Sequence, residues 1–110
     1  MKTDKELLEL AAKSIGLAQP WSERAQAYRW SEGSDWIEWN PLTNNSDAFT
    51  TMVKLGLLVS VRHGSDRTKA CVEVVTPHPL DDISLPFAGD GVDATRRAIV
   101  VAAAAIGETP

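Results

Sequence analysis

The fold is decided by the stretch WIEWNPLTNNSDAFTTMVKLG, which occupies residues 36–56. Its first residues place two tryptophans on either side of Ile37 and Glu38, an aromatic-rich run typical of a strand, and Pro41 ends this extended run. A cluster of small polar residues follows, and apolar residues then return at helical spacing until Gly56. The stretch therefore predicts a strand, a turn, a helix capped by Asn45 or Ser46, and a glycine stop.

The chain before this stretch predicts a helix and one further strand. Thr3 and Glu6 match a capping box, and residues 7–15 carry apolar side chains at helical spacing. Residues 26–30 are rich in aromatic side chains, and a segment with turn chemistry separates them from residues 36–39. We therefore expect a first helix followed by a β-hairpin.

The chain after Gly56 predicts a second hairpin and a long loop. Residues 57–63 alternate at strand period, and residues 69–75 form a run rich in β-branched side chains. These two segments should pair in antiparallel fashion. Residues 76–91 contain three prolines and several aspartates, a composition that predicts an irregular loop.

The last segment predicts an alanine-rich helix. It opens at Asp90 or at residues 92–93 and stops at Gly107. Residues 98–106 are apolar on every face, so this helix needs cover on more than one side. Neighbouring elements or a second chain can supply that cover, and a homodimer is therefore one hypothesis.

Together these elements predict a single α+β domain spanning residues 1–110. The expected architecture is a three-layer α/β/α sandwich in the order helix, hairpin, helix, hairpin, helix, with a four-stranded, mainly antiparallel sheet. A length of 110 residues suits one domain, and 44% hydrophobic with 24% charged residues is ordinary for a globular protein.

Charge and composition exclude several classes of function. A net charge of −4 argues against a general nucleic-acid binder, and the dispersion of the acidic residues argues against a protein that imitates DNA by its surface charge. The single cysteine, Cys71, cannot form an internal disulfide, which fits a reducing compartment. The N-terminus does not resemble a signal peptide, and the uncharged apolar run at residues 98–106 is too short to cross a bilayer. We therefore expect a cytoplasmic protein with no membrane contact.

Two segments carry a resemblance to a known family. WNPLT at residues 39–43 is followed by SDA at 46–48 and VKL at 53–55, and ATRRAIV at 94–100 is followed by AAAIG at 103–107. In order and spacing these strings resemble the phage ABA sandwich domain family, from the first helix to Gly107. The usual pattern has more acidic or glycine residues after WNPLT, where this chain has Asn44, Asn45 and Ser46. The resemblance implies a layered α/β/α domain of a phage or prophage, acting in the bacterial host cytoplasm, with no established activity.

The tryptophan content suggests a surface for a partner protein. Trp21, Trp30, Trp36 and Trp39 are a heavy load for this length, and tryptophan is favoured in binding hot spots. Packing in the core or at its edge is the alternative role for the same residues. We expect these tryptophans either to bind a partner or to cover the core.

Two polar clusters are candidates for an anion. Arg62, Arg67 and Lys69 gather at the tip of the second predicted hairpin, where they either bind an anion or are simply solvated. The polar residues within residues 40–47 either surround an anion at a helix N-terminus or serve as turn and cap residues. Arg96 and Arg97 begin a helix at its positive end, so we expect internal salt bridges to compensate them.

The remaining titratable residues do not show the spacing of a metal or catalytic site. The candidate metal ligands are His63, Cys71, His78, Asp81 and Asp82, and the candidates for acid–base catalysis are Asp81, Asp90 and Asp93. The first set lacks the close spacing of structural zinc ligands, and solvated charges or helix caps explain the second. We expect no cofactor, no metal and no enzymatic activity.

The sequence therefore predicts a non-enzymatic protein-interaction module, a phage accessory protein whose partner is an unknown host or phage protein, for instance an anti-phage defence factor. The expected surface combines the tryptophans with the loop at residues 76–91. The alternative is a small anionic ligand or a nucleic acid bound at residues 40–47 or at the basic hairpin tip.

Overall fold

The computed structural model describes residues 2–16, 21–22, 27–32, 35–62, 70–76 and 80–109. These residues form three helices and six strands in a mixed α+β arrangement. In chain order the elements are α1 (Asp4–Ser14), β1 (Trp21–Ser22), β2 (Ala27–Glu32), β3 (Asp35–Trp39), α2 (Asn45–Leu55), β4 (Leu58–Arg62), β5 (Cys71–Val75), β6 (Ile83–Pro86) and α3 (Val92–Glu108). Among them, no helix is long and apolar enough to span a membrane.

The strands form two separate sheets, so the predicted four-stranded sheet is wrong. The first sheet has the order β1-β2-β3 and the second the order β4-β5-β6, and all pairings are antiparallel. The predicted three-layer sandwich in the order helix, hairpin, helix, hairpin, helix is also wrong. Each predicted hairpin is part of a three-stranded sheet in the structure.

The strand β6 lies inside the segment that was expected to be irregular. Its Pro86 lies opposite Cys71 at the end of the β5–β6 ladder. An edge strand tolerates proline where no ladder hydrogen bond is needed. Ile83 and Leu85 pack against the core, so the strand has the period-two burial of a half-covered sheet. The prolines of residues 76–91 therefore led to the prediction of a loop, although the alternation of Ile83 and Leu85 with other residues is typical of a strand.

Helix α3 is the centre of the core. One face packs with α1 and Trp39, and the opposite face packs with α2 and the second sheet. The first cluster contains Leu7, Leu8, Ala11, Ala12, Trp39, Val100, Ala103 and Ala104, and the second contains Ala48, Leu57, Val72, Val74, Ala98, Ile99 and Ala102. The expected cover on more than one side is thus supplied within the chain, and the alanine-rich helix no longer argues for a homodimer.

The helix ends follow local chemistry, with two corrections. The capping box of α1 is present, since Thr3 and Glu6 each accept a hydrogen bond from the other's backbone N–H. Helix α2 is capped by Asn44 rather than by Asn45 or Ser46, and Gly56 ends it in the left-handed conformation with φ +63°. Gly107 does not stop α3, which continues to Glu108.

Candidate functional site

An open groove of about 370 Å³ lies between α2, the N-terminal part of α3 and the strand β4. We call it the α2–β4 groove. Its lining is mainly apolar and comprises Ala48, Phe49, Met52, Val61, Val92, Thr95 and Ile99, with Asn45, Asp90, Gly91 and Arg96 at the polar end. The groove is therefore a concave and mainly apolar feature of the described part of the chain.

The turn at Gly56 explains why the groove exists. The left-handed glycine reverses the chain directly from α2 into β4, and Leu57 is buried next to this turn. The groove is lined by Phe49 from the beginning of α2 and by Val61 from the far part of β4. The chain reversal at Gly56 therefore lets α2 and β4 contribute to the same groove.

Several apolar side chains around the groove are exposed. Phe49 in the lining is 58% exposed, and Val53, one turn later on α2 and outside the lining, is 60% exposed. Val61 on β4 and Val92 at the start of α3 are also exposed. Scattered apolar residues are ordinary on a surface, but a contiguous group around a concavity is typical of a binding site.

Arg96 holds the polar end of the groove in place. Its Nε donates to the Leu42 carbonyl at 2.8 Å, its guanidinium donates to Asn45 Oδ1 at 2.6 Å, and it forms an ion pair with Asp93. Arg97 pairs with Asp4 at 3.0 Å. The internal salt bridges expected for both arginines are confirmed, and Arg96 connects the beginnings of α2 and α3.

The polar segment at residues 40–47 is occupied by its own hydrogen bonds. The Asn40 N–H donates to Asp47 Oδ2 at 2.9 Å, the Leu42 N–H donates to Asn40 Oδ1 at 3.0 Å, and the Asp47 N–H donates to Asn44 Oδ1 at 3.0 Å. The Asp47 carboxylate therefore lies at the helix N-terminus where an external anion would bind. This arrangement supports the turn and cap role.

Burial affects the titration of Asp47. Desolvation raises its pKa above the ordinary value of 3.8, while the hydrogen bond from the Asn40 N–H opposes this shift. A raised pKa means that the folded protein holds this proton more tightly than the unfolded chain does. The stability contributed by this group is therefore complete below pH 3.8 and is lost as the pH rises through the raised pKa.

The variant Asp47→Asn should lack this pH dependence. We expect its free energy of unfolding to rise relative to wild type as the pH increases from about 3 to about 6, because asparagine keeps an acceptor oxygen without the buried charge. Urea unfolding of both proteins across that range measures the difference. Asp81→Asn, at an exposed position, is the control and should follow wild type. A pH-independent difference for Asp47→Asn would contradict the assignment.

The basic hairpin tip is described only in part. Arg62 lies on β4 and forms an ion pair with Glu73 on β5. Arg67 and Lys69 lie outside the described residues, as do His63 and His78. Within the described part, no group of three or more His, Cys, Asp or Glu side chains converges as metal ligands would.

The aspartates that are candidates for catalysis or metal binding mainly form local hydrogen bonds and ion pairs or are exposed. Asp90 Oδ1 accepts the Val92 N–H at 3.0 Å at the start of α3, and Asp93 pairs with Arg96. Asp82 Oδ1 accepts the Thr76 N–H at 3.2 Å, next to the exposed Asp81. These contacts agree with the capping and solvated roles.

The tryptophans do not form one described surface. Trp39 is 1% exposed and belongs to the core cluster with α1 and α3, so its side chain is not on a surface that a partner can reach. The backbone of Trp21, Trp30 and Trp36 lies in the first sheet, opposite Tyr28, Ile37 and Ser31 respectively. Their side chains lie outside what the structure describes.

Sequence reasoning missed the groove because helical spacing identifies the apolar residues of α2 but not which of them another element covers. In the structure Ala48 and Thr51 are buried, whereas Phe49 and Val53 are exposed. The sequence of α2 gives no signal for this difference, since positions 48, 49, 52 and 53 span no more of the helix surface than an ordinary apolar stripe does.

Comparisons of the chain with protein-family models, with curated proteins and with solved structures find no match. The resemblance to phage ABA sandwich domains therefore stays a prediction from the sequence.

Proposed function

We propose that this chain is a non-enzymatic protein-interaction module that binds an apolar side chain of a partner protein in the α2–β4 groove. The observation that carries the proposal is the exposure of Phe49, Val61 and Val92 around one concavity. Burying such side chains against a partner contributes about 25 cal/mol per Å² of apolar surface. The groove replaces the tryptophan surface as the proposed site.

The chemistry of the groove favours an apolar anchor over a polar ligand. Its volume of about 370 Å³ accommodates a large aliphatic or aromatic side chain with its neighbours. The polar groups at its end are engaged internally: Arg96 with Asn45, and the Thr95 hydroxyl with the Gly91 carbonyl. The free surface of the groove is thus mainly hydrocarbon.

The charge near the groove favours a partner with a basic residue beside its apolar anchor. Asp93 is compensated by its ion pair with Arg96, which leaves Asp90 as a negative charge at the polar end, and the whole chain carries a net charge of −4. Complementary charge accelerates association and selects the orientation of a partner. The occupied cap at residues 40–47 and the Arg62–Glu73 ion pair weigh against the alternative of an anionic ligand.

The resemblance to phage ABA sandwich domains supports a biological setting for this binding. A phage or prophage accessory protein acts in the cytoplasm of its bacterial host, and its partner is then a host or phage protein such as a defence factor. This setting rests on the sequence strings alone, whereas the groove rests on the geometry.

Selection from a displayed library of random peptides tests the groove without a known partner. We expect enriched peptides to share a large apolar residue next to a lysine or arginine. Phe49→Asp should weaken their binding by roughly 30-fold, the effect of losing about 2 kcal/mol at a hot spot. Thr50→Asp is the matched control, since it adds the same charge at the adjacent exposed position of α2.

The possible results of this selection distinguish the groove from another interaction surface and from an anionic ligand. Peptides that bind wild type and Thr50→Asp equally, but not Phe49→Asp, support the proposal. Enrichment of peptides whose binding is unchanged by Phe49→Asp would place the interaction surface elsewhere. Failure to enrich any peptide, with nucleotides or nucleic acid bound instead in a thermal-shift assay, would favour the anionic-ligand alternative.

A further inference from the structure

The strand β4 is an edge strand with apolar exposed side chains. In the described part of the chain it pairs with β5 alone, at one side of the order β4-β5-β6. Leu58 is 67% exposed and Val61 is 41% exposed. Natural proteins usually protect such edges with charge, proline or a covering element, because a bare edge is a template for another strand.

The hydrogen-bond pattern shows which groups of β4 face outward. The Phe87 N–H donates to the Ala70 carbonyl at 3.2 Å, so Ala70 is a hydrogen-bonded position toward β6. Hydrogen-bonding positions alternate along an antiparallel ladder, so the N–H and C=O groups of Val72 and Val74 also point toward β6. Those of Cys71, Glu73 and Val75 point toward β4. Pro86 is consistent with this pattern, because it has no N–H to donate and lies opposite Cys71, a position that forms no hydrogen bond with β6.

The partners of these residues on β4 complete the pattern. Arg62, Ser60 and Leu58 lie opposite Cys71, Glu73 and Val75 and direct their N–H and C=O groups toward β5. Val59 and Val61 therefore direct theirs away from the sheet. Their side chains lie on the same face as the buried Val72 and Val74, the face that α3 covers.

We propose that β4 pairs with β4 of a second copy of this chain, in antiparallel fashion, around a two-fold axis at Ser60. The strand reads Leu-Val-Ser-Val-Arg, and its central Val-Ser-Val is the same in both directions. In this register Val59 of each copy faces Val61 of the other, and each pair exchanges both main-chain hydrogen bonds. The outward N–H and C=O groups of Val59 and Val61 in one copy thus form hydrogen bonds with those of Val61 and Val59 in the other.

The side chains of β4 are also compatible with this pairing. Arg62 faces Leu58 of the second copy, so no like charges lie directly opposite one another, and the Arg62–Glu73 ion pair within each copy is retained. Val61 receives an apolar neighbour and Leu58 is covered by the stem of the arginine. A two-fold interface of this kind is the commonest form of closed assembly.

The dimer has a six-stranded sheet, three strands from each copy, and both α2–β4 grooves lie on one of its faces. Val59 of the second copy lies beside Val61 and extends the apolar wall of the groove, so the second copy contributes a residue to the proposed binding site. The inference itself rests on the edge strand and does not require the proposed function.

Proline substitutions test the pairing. The Val61 N–H faces outward, so Val61→Pro removes a hydrogen bond of the dimer without removing one between β4 and β5. The matched control is Ser84→Pro on β6, whose N–H faces the opposite free edge of the same sheet. By sedimentation and light scattering we expect a dimer for wild type and Ser84→Pro and a monomer for Val61→Pro, with unchanged circular dichroism.

A cross-link tests the register independently. At the proposed axis the two Ser60 residues form a non-hydrogen-bonded pair with Cα atoms about 4.5 Å apart, within the range of a disulfide. In a Cys71→Ala background, Ser60→Cys should give a covalent dimer on mild oxidation. Ser84→Cys, exposed on the same face of the sheet, should not.

A wild-type monomer at every concentration overturns the inference. A dimer that Ser60→Cys does not cross-link, or that persists in a folded Val61→Pro variant, places the dimer interface elsewhere and also overturns it. Phe49→Asp should remain dimeric while losing peptide binding, so failure of the proposed function and failure of the dimer are distinguishable.

Discussion

Trp39→Ala should reduce the free energy of unfolding by about 4 kcal/mol, the typical cost of truncating a buried tryptophan. Trp39 is 1% exposed and is the largest fully buried side chain in the described part of the chain. It ends the strand β3 and packs in the cluster with Leu8 and Val100, so its removal leaves a cavity that the helices cannot fill without moving apart. Urea unfolding followed by circular dichroism measures the change.

Two variants make this prediction specific. Trp39→Phe keeps most of the apolar volume and should lose much less stability. Phe49→Ala removes an exposed ring and should change stability by no more than about 0.5 kcal/mol. A loss of less than about 1 kcal/mol for Trp39→Ala would contradict the buried position of the indole. Because a domain is stable by only about 5–15 kcal/mol, the expected loss is a large part of the total.

Gly107→Ala should also destabilise the protein strongly, by about 3 kcal/mol. A Cβ atom on Gly107 would lie 2.8 Å from the Leu10 carbonyl carbon and closer still to its oxygen, so the backbone of α1 itself is the obstacle. Backbone cannot rotate away as a flexible side chain can, and relief requires α1 to shift or the end of α3 to unwind. The same urea unfolding experiment measures the loss.

The sign of this effect distinguishes packing from helix propensity. Inside an isolated helix, alanine is more favourable than glycine by about 1 kcal/mol, so propensity alone predicts stabilisation. The close approach of α1 reverses that expectation. Glu108→Ala, at the next and exposed position of α3, is the control and should have a small effect. A stabilised Gly107→Ala protein would show that α1 and α3 are farther apart than the structure describes.

Local chemistry made parts of the fold predictable. Thr3 and Glu6 identify the first helix because a capping box involves only neighbouring residues. Gly56 identifies the end of α2 for the same reason, since its left-handed conformation needs no distant partner. The salt bridges of Arg96 and Arg97 were predictable from the helix dipole, although Asp4 as a partner was not.

Properties that depend on distant segments were not predictable. The division of six strands into two sheets depends on which edges meet, and the period-two pattern does not encode this choice. Gly107 matched a helix stop because its close contact with Leu10, on another helix, is invisible in the local sequence. The groove was missed for a related reason, because the exposure of Phe49 is set by the path of β4 and not by α2.

The packing of α1 against α3 determines when the protein can fold during synthesis. Asp4 and Arg97 form an ion pair across 93 positions of sequence, so α1 docks on a helix that leaves the ribosome much later. Until α3 emerges, the apolar face formed by Leu7, Leu8 and Ala11 lacks the cover that Val100, Ala103 and Ala104 supply. Contacts between such distant segments also slow folding, because a long loop must close before they form. The nascent chain therefore exposes part of this apolar face, a surface of the kind that chaperones bind, until α3 has been synthesised.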